Sequence, residues 1–144
     1  MTAQPAADFL TVYWSTKHAM TMAAASTYAR HGVYEGQQFI LRALWARDGL
    51  APGELAKQLG LSTPTVTRAT TRMEAAGLLR REPHPTDRRL VRLHLTDRGR
   101  DLEATIEDEM AGLTDRAFAG FDTAEREAVI GALERIRRNL TREQ

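Results

Sequence analysis

Between Ser62 and Arg72 the chain carries hydroxyl and guanidinium side chains at helical spacing: Ser62, Thr63, Thr65, Thr67, Arg68, Thr71 and Arg72. Further along, Arg80, Arg81, Arg88, Arg89 and Arg92 crowd a short segment that also holds Asp87. These groups make no bonds of their own; they donate hydrogen bonds and positive charge, which suits recognition of a polyanion. On a helix whose buried stripe is Val66 and Met73, the opposite face carries Pro64, Thr65, Arg68, Thr71 and Arg72, with Thr63 and Thr67 at its margins. Catalysis has no comparable support. The chain has no G-x-S-x-G, no phosphate-cradling glycine loop and no H-E-x-x-H, and Glu107-Asp108-Glu109 reads as a solvated helix face.

A helix of this kind fits the DNA major groove, with its N-terminal half at the base edges. Ser62 and the free amides of the first turn would hold a phosphate. Arg68 has the planar fork that pairs with guanine, Thr65 and Thr67 suit a thymine methyl or a phosphate, and Arg72 reaches the backbone. In the arginine-rich segment, so many cations repel one another unless a polyanion lies alongside. The spacing lets Asp87 orient Arg89 for the minor groove, with Arg88 beside it, so that Asp87 is a positioning residue. The plainer reading is that these threonines and arginines only solvate exposed surface and that Asp87 only forms a turn.

The elements that must position these residues follow from periodicity and punctuation. Residues 6–30 read as one long helix with Leu10, Tyr13 or Trp14, Lys17, Met20 or Thr21 and Ala24 on one stripe, ended by His31-Gly32. Residues 36–47 are helical again, with Phe39, Ile40, Ala43, Leu44 and Trp45 as a broad apolar face. Pro52 opens a short helix that stops at Gly60, Ser62 caps the next, and Gly77 follows its end. The period then changes: 78–84 and 90–95 read as strands joined by Pro85–Arg89. Thr96 caps a helical region to about Ala119, which turns near Gly120-Phe121-Asp122 and resumes to about Leu140. Two helices joined by Gly60-Leu61-Ser62 and followed by a hairpin make a winged helix-turn-helix. The expected fold is mainly α with a small β-hairpin wing, a winged helix-turn-helix flanked by N- and C-terminal helices. Its parts are an N-terminal helix in 1–35, a DNA-binding lobe in 36–96 and C-terminal helices in 97–144.

The chain is 144 residues long with 42% hydrophobic and 27% charged residues, an ordinary globular composition for one compact subunit. A net charge of +1 conceals an asymmetry: residues 53–100 hold ten Lys/Arg against five acids, and residues 101–144 hold six against eleven. No apolar run is long enough for a membrane helix, the N-terminus lacks a signal-like apolar stretch, and cysteine is absent. These features predict a cytoplasmic protein with no membrane partner, no disulfide and no thiol switch. His18, His31, His84 and His94 are scattered without ligand spacing, so neither a metal nor another cofactor is expected.

Leu55-Ala56, Ser62-Thr-Pro-Thr-Val-Thr-Arg68, Met73-Glu-Ala-Ala-Gly-Leu-Leu-Arg80, Asp87-Arg-Arg89 and Leu95-Thr-Asp-Arg-Gly99 together resemble the MarR family of bacterial transcription regulators. The resemblance covers residues 36–100 closely. It implies a homodimer with interlocked terminal helices, two winged lobes on pseudo-palindromic double-stranded DNA, Thr65, Thr67 and Arg68 on the recognition helix, and Asp87 with Arg89 at the wing tip. It further implies a repressor of neighbouring genes that a small aromatic or anionic effector releases. In the family, the effector cleft lies between the dimerisation helices and the winged lobe; Tyr13, Trp14, Lys17, His18 and Tyr34 are the candidates to line it. Leu102, Ile106, Met110 and Leu113, then Val129, Leu133, Ile136 and Leu140, recur at helical spacing and need a partner surface, which a second copy supplies. The alternative is a winged helix that binds protein, or DNA without sequence preference, and answers no effector.

Overall fold

The computed structural model describes residues 5–142. Six helices and one hairpin follow in the order α1 (Pro5–Ala29), α2 (Gln37–Ala46), α3 (Pro52–Leu59), α4 (Thr63–Ala75), β1 (Leu79–Pro83), β2 (Val91–Leu95), α5 (Asp97–Ala117) and α6 (Thr123–Thr141). The described chain forms two compact units, one ending at Met110 and the other beginning at Ala111.

In the first unit, Ile40, Leu41 and Leu44 of α2, Leu55 of α3, Val66 and Met73 of α4, and Leu79, Leu93 and Leu95 of the hairpin are buried together. The stripe on α2 is Gln37, Ile40, Leu41 and Leu44. Phe39, expected on that face, is 51% exposed. At about 100° per residue, the expected set from Phe39 to Trp45 wraps too far around the helix to be one stripe, and Leu41 takes the inward position. On α1 only the C-terminal end reaches the core, through Thr27 and Tyr28. Phe9, Leu10, Val12, Trp14, Met20 and Met22 are exposed in the single chain.

The strands pair antiparallel, Leu79 opposite Leu95 and Pro83 opposite Val91. A contribution that periodicity does not reveal comes from Leu50, whose backbone bridges Leu93. Gly49 N donates to Leu93 O and Leu93 N to Leu50 O, both at 2.9 Å, which fixes the base of the hairpin to the turn after α2. Where the hairpin returns to α5, Thr96 Oγ1 accepts from Gly99 N at 3.1 Å and donates to Gly77 O at 2.6 Å. Gly99 packs so closely on the Leu78 carbonyl that a Cβ has no room there.

In the second unit, Asp122 caps α6: its Oδ1 accepts from Glu125 N at 2.8 Å, and Glu125 Oε1 accepts from Asp122 N at 3.1 Å. Arg126 lies 5.0 Å over the Phe118 ring and pairs with Asp115 at 3.2 Å. No residue of α6 is buried, and Val129, Ile130, Leu133 and Leu140 stand exposed.

Candidate nucleic-acid interface

The site is built on the turn between α3 and α4. Gly60 ends α3 in the left-handed region at φ 67°, a conformation that costs glycine nothing, and its amide bonds Ala56 O. Ser62 then begins α4 as its N-cap, accepting from Thr65 N at 3.2 Å. Its Oγ lies 2.8 Å from Thr65 Oγ1, and that hydroxyl accepts from Arg68 Nη2 at 3.4 Å. A short polar chain therefore runs from the cap along the outer face of α4 to the Arg68 guanidinium. Burial of Val66, Thr70 and Met73 holds this face outward. Ser62, Thr63, Thr67, Arg68 and Arg72 are exposed and Thr65 is half-buried.

The wing tip has its own scaffold. His84 Nδ1 accepts from the amides of Thr86 and Asp87 at 3.2 and 3.3 Å, folding the segment over. Asp87 Oδ1 accepts from Arg89 N at 3.0 Å and from Nε at 3.1 Å, and Oδ2 from Nη2 at 3.2 Å. These contacts, the side-chain bond first, hold the Asp87 carboxyl below its ordinary range. The Arg89 side chain is nevertheless 90% exposed. Arg88 is exposed, and like that of Arg72 its side chain has no hydrogen bond or ion pair among the described residues.

The expected crowding of unpaired cations on the wing is corrected by the remaining arginines. Arg80 Nε donates to Glu82 Oε1 at 2.6 Å, and Arg92 Nη2 lies 3.3 Å from His84 Nε2. Arg81 turns back onto α4 and bonds Thr67, Thr70 and Thr71. Sequence counting misses the partners of Arg81 and Arg92 because they lie on α4 or across the hairpin, whereas Glu82 is two residues along the same strand as Arg80. Behind the hairpin, His94 sits 3.4 Å from both Asp48 and Glu82, and Arg100 is 3.5 Å from Asp48.

Of the residues expected to line an effector cleft, Tyr13, Trp14 and Lys17 come together, and among the described residues His18 and Tyr34 have no hydrogen bond, ion pair or ring contact with them. Tyr13, half-buried, meets Trp14 edge-on at 5.0 Å, and Lys17 Nζ lies 5.1 Å over the exposed indole, a cluster on α1. His18 is exposed on the same helix, and Tyr34 lies exposed before α2 with its amide donating to Gln37 Oε1. A cleft of about 560 Å³ does open among α1, α2 and α5, and none of these five lines it. Its walls include Tyr28, Arg42, Trp45, Glu103, Glu107 and Met110. Burial pushes the Tyr28 hydroxyl pKa up, and Arg42 draws it partly back. Trp45 Nε1 is fixed by Gly99 O at 2.8 Å. Among the described residues no His, Cys, Asp or Glu cluster is placed to hold a metal, and no helix is long and apolar enough to cross a membrane.

A helix-turn-helix followed by a two-stranded wing defines the winged-helix class. Residues 33–91 match the model of the MarR family. The HTH-type transcriptional regulator TtmR of Methylorubrum extorquens (strain PA1) is 32% identical over 130 residues, 88% of this chain; the chain spans 64% of that relative's length. Among solved structures, YusO of Bacillus subtilis superposes with a TM-score of 0.84 at 20% identity, covering 96% of this chain and 99% of that one. A MepR point mutant of S. aureus, bound to an oligodeoxyribonucleotide, superposes with a TM-score of 0.74 at 21% identity, covering 92% of this chain and 98% of that one. Over residues 33–91 the chain carries the winged lobe of the MarR family.

Proposed function

We propose that this protein is a homodimeric, sequence-specific double-stranded-DNA-binding transcriptional repressor. The observation that carries the reading is the outward face of α4, where the Ser62–Thr65–Arg68 chain presents a guanidinium beside a helix N-terminus. Arg68 reads a base edge, Ser62 and Thr63 hold phosphate, Thr65 supports Arg68, and Thr67 and Arg72 follow the backbone. At the wing, Asp87 presents Arg89 to the minor groove while Arg88 meets phosphate. Dimerisation is supported by exposed apolar side chains on both terminal helices, Leu10, Trp14 and Met20 on α1 and Val129, Leu133 and Leu140 on α6. A two-fold copy would cover them and set two lobes on a pseudo-palindrome.

The cleft among α1, α2 and α5 favours an effector-responsive regulator. Two carboxylates, Glu103 and Glu107, and one guanidinium, Arg42, line it with Tyr28 and Trp45. That balance suits an aromatic ligand with a cationic group better than an anionic one.

Salt titration of binding to duplex DNA tests the polyanion reading. Affinity should fall with a log–log slope of roughly −0.9 per phosphate neutralised, several units steep for a dimer. Binding that ignores salt contradicts the reading and favours a protein partner.

A further inference from the structure

The wing and α4 are joined by a bracket centred on one strand residue. Arg81 Nη2 lies 3.1 Å from Thr67 O, 3.1 Å from Thr70 Oγ1 and 2.8 Å from Thr71 Oγ1. The amide of the same residue donates to Glu74 Oε2 at 2.9 Å. Strand β1 is thus held to α4 through both its backbone and its side chain. Thr70 is fully buried, its hydroxyl donates toward Val66 O and Thr67 O, and Arg81 fills its acceptor side. Neither Arg88 nor Arg89 has a partner on α4 among the described residues.

We propose that Arg81 is a positioning residue that, with Glu74, sets the pose of the wing relative to α4, so that Arg68 and Arg89 engage DNA together. The proposal rests on the DNA-binding reading above. A two-stranded ribbon is marginally stable by itself, so the direction of its far end is decided where its base is held. A wing fixed before binding pays less ordering entropy on the duplex than one that must be fixed there. The residue type fits the task. The three acceptors converge on Nη2 and share its two N–H groups, a point that a lysine side chain, one bond shorter, does not reach from the same backbone position. With Nη2 turned onto the helix, Arg81 is poorly placed to neutralise a phosphate.

The test uses the full chain, with Arg81→Met, Arg81→Lys, Arg89→Ala and the Arg81→Met/Arg89→Ala pair. Hydrogen exchange is measured without DNA, and duplex affinity by anisotropy. Arg81→Met should speed exchange across residues 84–92 and leave α3 unchanged, and Arg81→Lys should not restore protection. It should weaken DNA binding about tenfold, and most of that loss should vanish in the Arg89→Ala background, because the two residues act through one contact. If Arg81→Met does not fold, Thr71→Val removes the shortest of the three Nη2 contacts at an exposed site and should raise the same exchange. Unchanged wing exchange overturns the proposal. So do fully additive affinity losses, the mark of an independent phosphate contact. A parent chain that binds no DNA overturns the DNA-binding reading instead, and the exchange result then decides the bracket alone.

Discussion

The Arg89 guanidinium closes on both oxygens of Asp87, at 3.1 and 3.2 Å, while the Arg89 amide returns to the same carboxylate at 3.0 Å. An acid at a DNA-facing tip is unfavourable by charge alone, so the two roles for Asp87 predict opposite outcomes. Asp87→Ala should weaken duplex binding several-fold, because the loss of a fixed Arg89 outweighs the removal of a negative charge. Anisotropy titration at constant salt measures it. Tighter binding by the variant contradicts the positioning role.

Gly99 offers a prediction about folding alone. A Cβ at this position overlaps the Leu78 carbonyl, which is backbone and has little freedom to move. Gly99→Ala should destabilise the chain by about 1–3 kcal/mol, the usual range for overpacking, as read from urea unfolding. An unchanged midpoint contradicts the close packing of α5 on that turn.

Glu109 is held by His31 Nε2 at 2.9 Å and by Arg30 Nη2 at 3.1 Å. The His31 hydrogen bond first, and Arg30 after it, keep its carboxyl below the ordinary 4.5. Because the folded pKa is the lower one, this contribution is present above the unfolded pKa and is lost as pH falls through the folded value. Glu109→Gln should therefore have a lower urea midpoint than the parent at neutral pH, and the two curves should converge in acid, once pH has fallen through the lowered folded value. Parallel curves down to acid contradict the pairing.

Much of the lobe was legible because punctuation residues have local causes. Gly60 and Gly77 both adopt positive φ and Ser62 caps α4, roles fixed within a few residues of chain. The wing followed from a change of period after Gly77. Assembly across elements was not legible. Arg81 finds Thr67, Thr70 and Thr71 only once β1 lies along α4, and Leu50 meets Leu93 only once the hairpin has formed. The aromatic pair Tyr13 and Trp14 with Lys17 did form a cluster, as adjacent helical turns allow, but on an exposed face. The cleft draws instead on Tyr28, Arg42 and Glu103 from three helices.

That cleft makes its own prediction. With Glu103 and Glu107 in its walls, benzylammonium should raise the melting temperature more than benzoate does. Glu103→Gln combined with Glu107→Gln should remove the difference. A larger shift with benzoate contradicts the cationic preference.

The central claim, that α4 reads sequence through Arg68 in a two-fold dimer, is tested most directly by selecting bound duplexes from a randomised library. Parent and Arg68→Ala are run side by side at about 150 mM salt, near physiological ionic strength. The parent should select a palindrome with half-sites about ten base pairs apart. Arg68→Ala should show relaxed preference at one position in each half-site, about 1–3 kcal/mol of lost discrimination. No enriched sequence from the parent, or the same palindrome with undiminished preference from Arg68→Ala, would contradict that claim.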